Sequence, residues 1–187
     1  MPIPGYIILG CWLILIVYWF VSAFAAKQTA ERNSLSSSLP YRILFVAGLV
    51  ITIHSRFPGP LNLSLTPHND FTDWLAAAVC VLGLLIALWS RWTLAGNWSS
   101  NVQFKEGHQL MRTGPYRFVR HPIYTGILLM CAAPPIQFGR LHHWLGFVLI
   151  AAGLWLKLRQ EEALMLRHFP DYAAYRKETK ALVPFVI

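Results

Sequence analysis

The sequence predicts an all-α integral membrane bundle of about five transmembrane helices, with the N-terminus outside and the C-terminus cytoplasmic. Three observations lead there. Hydrophobic residues make up 56% of the 187-residue chain and charged residues only 13%, against about 45–50% and about 25% in soluble domains. The apolar residues fall into long runs of the length a bilayer requires, about 20 residues each. If every run crosses, all sixteen Lys and Arg residues except Arg56 and Arg140 lie on one side. Basic loops are retained in the cytoplasm, which fixes the orientation. A disordered or ordinary soluble chain is excluded.

Each span has its own justification. Ile7 to Ala26 is an uninterrupted apolar run that ends at Lys27. No Lys or Arg precedes it, so it reads as a span and not as a secretory signal. The second span covers about Leu39 to Phe57; its uncharged core, Ile43 to Ile53, is short, and Arg42 must snorkel. Removing this crossing would scramble the charge asymmetry. Pro58, Gly59, Pro60 and Pro67 mark a loop. The third span runs from Asp73 to Trp89 or Trp92, and a polar stretch, Gly96 to His121, follows. The fourth runs from Pro122 to Phe138, with Pro134 and Pro135 expected to break it near its end. The fifth starts near His142, stays apolar to Leu156 and continues in charged form to Phe169, before Pro170.

The formal net charge of +8 reads as membrane orientation and contact with anionic headgroups, not as nucleic-acid binding, because the basic residues flank apolar segments. Cys11, Cys80 and Cys131 all lie inside apolar runs and form no Cys-x-x-Cys pair, so neither a disulfide framework nor a metal site is expected. His54, His68, His142 and His143 fall on the outer side; neighbouring histidines on a helix are not expected to face one way, and no metal is expected. The tryptophans mostly sit near segment ends, as an interfacial belt does.

The chemistry is expected where two polar segments, Gly96 to His121 and Lys157 to Lys180, meet the same face of the bundle. Pro122 suits the first turn of a helix, which puts His121 at or next to the N-cap. Free backbone N–H groups there, with Arg117 and Arg120, make an anion site suited to a carboxylate. The same arginines serve equally as lipid anchors, with His121 a passive cap. Glu161 and Glu162 are the only adjacent acidic pair in the chain. Surface pairing with Lys157 and Arg159 at helical spacing accounts for one or both; alternatively, a carboxylate at a membrane border marks a binding site for a ligand cation. An anion site and a cation site on one face suit a zwitterion such as an amino-acid moiety. Neither GxGxxG nor GxxxxGK[ST] is present.

These blocks carry a resemblance. Glu106-Gly107-His108, Gly114-Pro115-Tyr116-Arg117 and Arg120-His121-Pro122-Ile123-Tyr124-Thr125-Gly126 are followed by Glu161-Glu162, Leu164, Phe169, Tyr172, Tyr175 and Pro184. In this order and spacing they resemble the isoprenylcysteine carboxyl methyltransferase and phospholipid methyltransferase family of integral membrane enzymes, over about Gly96 to Ile187. Pro170 replaces a glycine frequent in that family and brings Tyr172 one residue early, so a local turn change is expected.

The resemblance implies S-adenosylmethionine as cofactor, bound by Tyr116, Arg117, His121, Pro122, Tyr124, Glu161 and Glu162. It makes residues 96–187 the catalytic region of a single structural domain and residues 1–95 its three N-terminal spans. Arg120, His121 and His108 are the candidate catalytic residues. A histidine suits the role of base if the acceptor is an amine or phenol; Arg120 suits either an anionic acceptor or the cofactor carboxylate. The acceptor is expected to be lipophilic and to enter from the bilayer, since the remaining walls near the motif, Trp89, Leu94, Ile123, Ile127 and Trp155, are apolar. Three rivals stay open. Sterol reductases share a similar Arg-His-Pro-x-Tyr block, which would mean an NADPH-dependent membrane reductase. A small thiol would be a water-soluble acceptor. A non-catalytic lipid-binding protein would bind no cofactor.

Overall fold

The computed structural model describes residues 2–24, 29–32, 35–54, 57–95, 103–105 and 110–184. Five long helices carry the chain: α1 (Ile3–Ala23), α2 (Leu35–Ile53), α3 (Asp70–Leu94), α4 (Pro122–Phe138) and α5 (Leu141–His168); a short α6 (Tyr172–Glu178) follows. All of these helices except α4 and α6 are long and apolar enough to cross a membrane. Helix α4, with 17 residues, spans about 26 Å at about 1.5 Å per residue, close to the roughly 30 Å of a hydrocarbon core. The 28 residues of α5 reach about 42 Å, so its charged end projects beyond the apolar layer.

The spans begin three or four residues earlier than hydropathy places them, except α4 and α5. Local chemistry accounts for α3. Asn69 Oδ1 accepts from Thr72 N at 3.0 Å and Thr72 Oγ1 accepts from Asn69 N at 3.0 Å, a capping box, and Asp70 and Asp73 complement the helix dipole in the first turn. Helix α2 takes in Pro40. The proline has no N–H for the Ser36 carbonyl, and beside it the Ser37 carbonyl accepts from Gln160 Nε2 of α5 at 2.7 Å.

Pro134 and Pro135 do not break α4 as the sequence suggested. The helix continues to Phe138 and ends on left-handed Gly139. Neighbouring helices sustain proline-containing spans by packing against them, and α3 does so here. At Gly83 a Cβ would lie 2.5 Å from the Gly126 carbonyl oxygen, and at Gly126 it would lie 2.8 Å from Ala87 N. Helices α2 and α5 meet in the same way: a Cβ on Gly48 would lie 2.6 Å from the Gly146 carbonyl oxygen, and one on Gly153 2.9 Å from that of Tyr41. Small residues let membrane helices approach backbone to backbone. Cys11 and Leu15 of α1 pack on Ala76, Cys80 and Leu84 of α3. The opposite faces of these helices, with Ile16, Phe20, Val46, Val50, Leu82 and Leu85, are exposed and apolar, as a lipid-facing surface is.

The connections gather at two ends. At one end the α2–α3 loop is tied to the α4–α5 turn by Leu65 N to Gly139 O at 2.7 Å and Leu141 N to Leu63 O at 2.9 Å. His142 and His68 serve this end through their Nδ1 atoms, 3.0 Å from Leu61 O and 2.8 Å from Gln137 O. Contrary to expectation, the neighbouring His142 and His143 rings do pack together, with centroids 4.0 Å apart; at the first turn of α5 both are buried. At the other end β1 (Thr29–Arg32) pairs antiparallel with β2 (Gln103–Lys105), a small addition to an otherwise helical fold. The loops therefore alternate between ends as the charge split required. The polar segments that carry the motifs share the second end.

Candidate functional site

The site is assembled by three segments. The first is a 3-10 turn, Gly114–Arg117, leading through Val119 to His121 at the N-cap of α4. The second is the projecting end of α5. The third is α6 with the strap that follows it. Val119 forms a parallel bridge to Lys180, Arg120 N donates to Lys180 O and His121 N to Ala181 O, both at 2.9 Å. Thr125 Oγ1 donates to Leu182 O at 2.6 Å. The strap thus fixes the backbone of the Arg-His-Pro-x-Tyr block.

Arg120 Nε donates to Glu162 Oε1 at 2.6 Å, and both side chains are more than nine-tenths buried, at 8% and 5% exposure. The other end of the guanidinium donates through Nη1 to the carbonyls of Arg176 and Thr179. The second oxygen of Glu162, Oε2, lies 3.4 Å from Arg176 Nε. A buried charge is costly unless paired and hydrogen-bonded, and this carboxylate is surrounded by cations. Glu162 is therefore not held by surface pairing with Arg159, which is exposed.

His121 makes no side-chain cap. Its Nε2 lies 3.4 Å from Glu162 Oε1 and its Nδ1 3.7 Å from Glu161 Oε2. Among the described residues Nε2 has no hydrogen-bond partner although it is buried; the 3.4 Å contact is close but not well aligned. The His121 ring stacks on Tyr124, centroids 5.5 Å apart and planes 6° apart. Tyr124 OH donates to Glu161 Oε1 at 2.6 Å, and Lys157 Nζ lies 3.9 Å from the same oxygen. For Glu161 the expected helix pairing with Lys157 is thus present beside the tyrosine bond.

Tyrosines close the site. Tyr175 OH donates to Tyr116 O at 2.6 Å, and Arg112 lies over the Tyr175 ring at 5.4 Å. Burial pushes the Tyr175 phenol up to about 12. Burial first, and Glu162 second, raise the Tyr172 phenol; burial first, and Glu161 second, raise that of Tyr116. These hydroxyls stay protonated at neutral pH, and that of Tyr175 acts as a donor. The departure at Pro170 is absorbed in a turn between α5 and α6.

Of the residues singled out from sequence, Tyr116, Arg120, His121, Pro122, Tyr124, Glu161 and Glu162 come together here. Arg117 is exposed on the 3-10 turn and makes no part of the cluster. His108 lies outside the described residues. Arg176 and the Thr179 to Leu182 strap were missed. Tyr172 and Arg176 are four apart, which puts them on one helical face, so the Tyr-x-x-Tyr spacing carried a signal for Arg176. The apolar walls divide: Ile123 is buried, Leu94 and Ile127 are half-buried in the same cluster, and Trp89 and Trp155 are exposed.

Known proteins are similar to this chain in sequence. The nickel-cobalt-cadmium resistance protein NccN of Alcaligenes xylosoxydans xylosoxydans is 28% identical over 126 residues, 64% of this chain and 57% of its own length. The protein YpbQ of Bacillus subtilis (strain 168) is 26% identical over 128 residues, 67% of this chain and 76% of its own. A probable protein-S-isoprenylcysteine O-methyltransferase of Oryza sativa subsp. indica is 22% identical over 166 residues, 87% of each chain. The chain spans little more than half the length of the first of these. The model of the isoprenylcysteine carboxyl methyltransferase (ICMT) family matches residues 75–167, from α3 through the Glu161-Glu162 pair to the end of α5. Over this region the chain resembles the ICMT family.

Proposed function

We propose that the protein is an S-adenosylmethionine-dependent methyltransferase that acts in the membrane on a lipophilic acceptor, with its site on the cytoplasmic face. The observation that carries the reading is the buried charge cluster. Arg120, Arg176 and His121 meet Glu161 and Glu162 at the border of an apolar bundle. A polar cluster in that position is expensive and is by default functional. Its donor set fits the amino-acid moiety of the cofactor: carboxylates for the ammonium, guanidinium groups for the carboxylate. The unsatisfied, buried His121 Nε2 fits a further polar contact from a bound molecule.

Glu161, Glu162, Arg120, His121 and Tyr124 would hold the cofactor, with Tyr116 and Pro122 shaping the wall. When bound, S-adenosylmethionine supplies an electrophilic methyl group, so the chain needs chiefly to bind and align the partners, which contributes several kcal/mol. Arg120 is pre-oriented by the strap carbonyls, so little reorganisation accompanies binding. The buried tyrosines exclude water from the cluster. His121, stacked on Tyr124 and flanked by carboxylates, is the described residue suited to take a proton from a neutral acceptor.

The test is methyl transfer from labelled S-adenosylmethionine in membranes containing the protein. The reading predicts label in a product that extracts into organic solvent, and its loss with Glu162→Ala. Label appearing only in water-soluble thioethers after addition of a short thiol would replace the lipophilic acceptor by a small one.

A further inference from the structure

The two oxygens of Glu162 are held unequally. Oε1 accepts from Arg120 Nε at 2.6 Å, and the Arg120 side chain is 8% exposed. Oε2 lies 3.4 Å from Arg176 Nε, longer than a normal N–H···O bond, and the Arg176 side chain is 47% exposed. Arg120 is tied down further, since its Nη1 donates to the carbonyls of Arg176 and Thr179. Among the described residues the Arg176 side chain is paired with Glu162 alone. The backbone of α6 does not depend on that pair. Arg112 Nη2 donates to Asp171 O at 2.9 Å, Tyr175 OH donates to Tyr116 O at 2.6 Å, and Arg120 Nη1 donates to Arg176 O at 3.2 Å. Helix α6 thus stays anchored while the half-exposed Arg176 side chain changes rotamer, a motion of picoseconds to nanoseconds at a protein surface.

Glu162 is one of the carboxylates assigned above to the cofactor ammonium, yet both of its oxygens already face a cation of the chain itself. An incoming ammonium reaches Glu162 only by displacing one of the two. Displacing Arg120 strands a buried guanidinium without its carboxylate, which is severely unfavourable. Displacing Arg176 releases a half-exposed side chain into water, and ion pairs of that kind contribute little. We infer that Arg176 is a placeholder: its guanidinium holds the seat of the cofactor ammonium at Glu162 Oε2 and swings into solvent when the cofactor binds. This inference rests on the proposed methyltransferase reading and deepens it. Oε2, not Oε1, is the oxygen that faces the cofactor, and Arg120 keeps its bonds throughout. The buried carboxylate never stands without its second cation, as a buried charge requires. The chain also competes with its own ligand, so the apparent affinity is lowered by the fraction of molecules in which Arg176 holds the seat.

The test measures the affinity of the full-length protein in nanodiscs for three probes. S-adenosylhomocysteine carries both the ammonium and the carboxylate, its decarboxylated form keeps only the ammonium, and methylthioadenosine has neither. Arg176→Ala and Arg176→Gln should each bind the first two probes about threefold to fivefold more tightly than the unaltered protein, the release of one partly exposed ion pair. Affinity for methylthioadenosine should change by less than about twofold, and Arg176→Lys, which restores a cation, should bind all three as the unaltered protein does. Weaker binding of S-adenosylhomocysteine with unchanged binding of the decarboxylated probe would make Arg176 a ligand of the cofactor carboxylate and overturn the inference. Unchanged affinity for all three probes would overturn it too, and so would weaker binding of all three in both variants, which marks a structural residue. An unaltered protein that binds none of the probes would instead overturn the methyltransferase reading beneath it.

Discussion

Arg120 and Glu162 stand 42 positions apart in the chain and 2.6 Å apart in space, each nearly enclosed. The pair joins the start of α4 to the projecting end of α5. Around it the carbonyls of Arg176 and Thr179 accept from Nη1 of the same guanidinium. One side chain thus locks three segments, and both partners belong to the cluster proposed to hold cofactor.

Removing one partner should be costly for both folding and binding. Breaking a buried ion pair costs about 3–5 kcal/mol because the other charge is left uncompensated. Glu162→Ala should lower thermal stability markedly and weaken S-adenosylhomocysteine binding by roughly 100-fold, which corresponds to about 3 kcal/mol. Glu161→Ala should weaken binding while costing less stability, since Glu161 is 22% exposed and its partners are Tyr124 and Lys157. A double-mutant cycle between Arg120 and Glu162 checks the coupling; additive effects would contradict it.

The membrane helices were legible because hydropathy is a property of composition alone. The Glu pair was legible because adjacent carboxylates are costly at a membrane border, and the Arg-His-Pro-x-Tyr block because its order and spacing resemble those of a known family. What sequence reading missed depends on three-dimensional neighbours. Pro134 and Pro135 look like a break until α3 is packed on α4. His142 and His143 looked divergent by helical spacing, yet their rings lie 4.0 Å apart, and His142 pins the loop through Leu61 O. The strap from Thr179 to Leu182 carries no side-chain signal, since it acts through its carbonyls. Arg117 was credited to the anion site by proximity in sequence, and the 3-10 turn points it away into solvent.

Packing at Gly48 offers a separate check. A methyl group there meets the Gly146 carbonyl at 2.6 Å and Ile150 at 2.7 Å, and backbone cannot move aside cheaply. Gly48→Ala should destabilise the α2–α5 contact by about 1–3 kcal/mol, the range for overpacking. Gly10→Ala, with nothing near its Cβ position, should be neutral. Thermal denaturation in detergent reads both.

The Tyr175 phenol gives a pH signature with a definite sign. Its folded pKa of about 12 lies above the ordinary value of 10.0. Between these values the unfolded chain loses the proton that the folded chain keeps, so stability falls as pH rises from about 10 to about 12. Tyr175→Phe should flatten that alkaline decline. It should also lower stability near neutrality by about 1 kcal/mol through loss of the bond to Tyr116 O.

Orientation is testable with two single cysteines in a background free of the native ones. Ser64 and Lys177 are both exposed and lie at opposite ends of the bundle. Only the Ser64→Cys variant should react with an impermeant thiol reagent in intact cells; reaction at Lys177→Cys instead would place the proposed site outside.

The central claim is that the buried cluster holds S-adenosylmethionine, and thermal-shift measurement of the purified protein tests it most directly. A ligand that binds only the folded state stabilises it by about 2.7 kcal/mol at a hundredfold excess over its dissociation constant. The account predicts a saturable rise in melting temperature with S-adenosylhomocysteine and with S-adenosylmethionine, no rise with NADPH, and loss of the rise in Glu162→Ala. Stabilisation by NADPH without S-adenosylhomocysteine, or by none of the three, would contradict it.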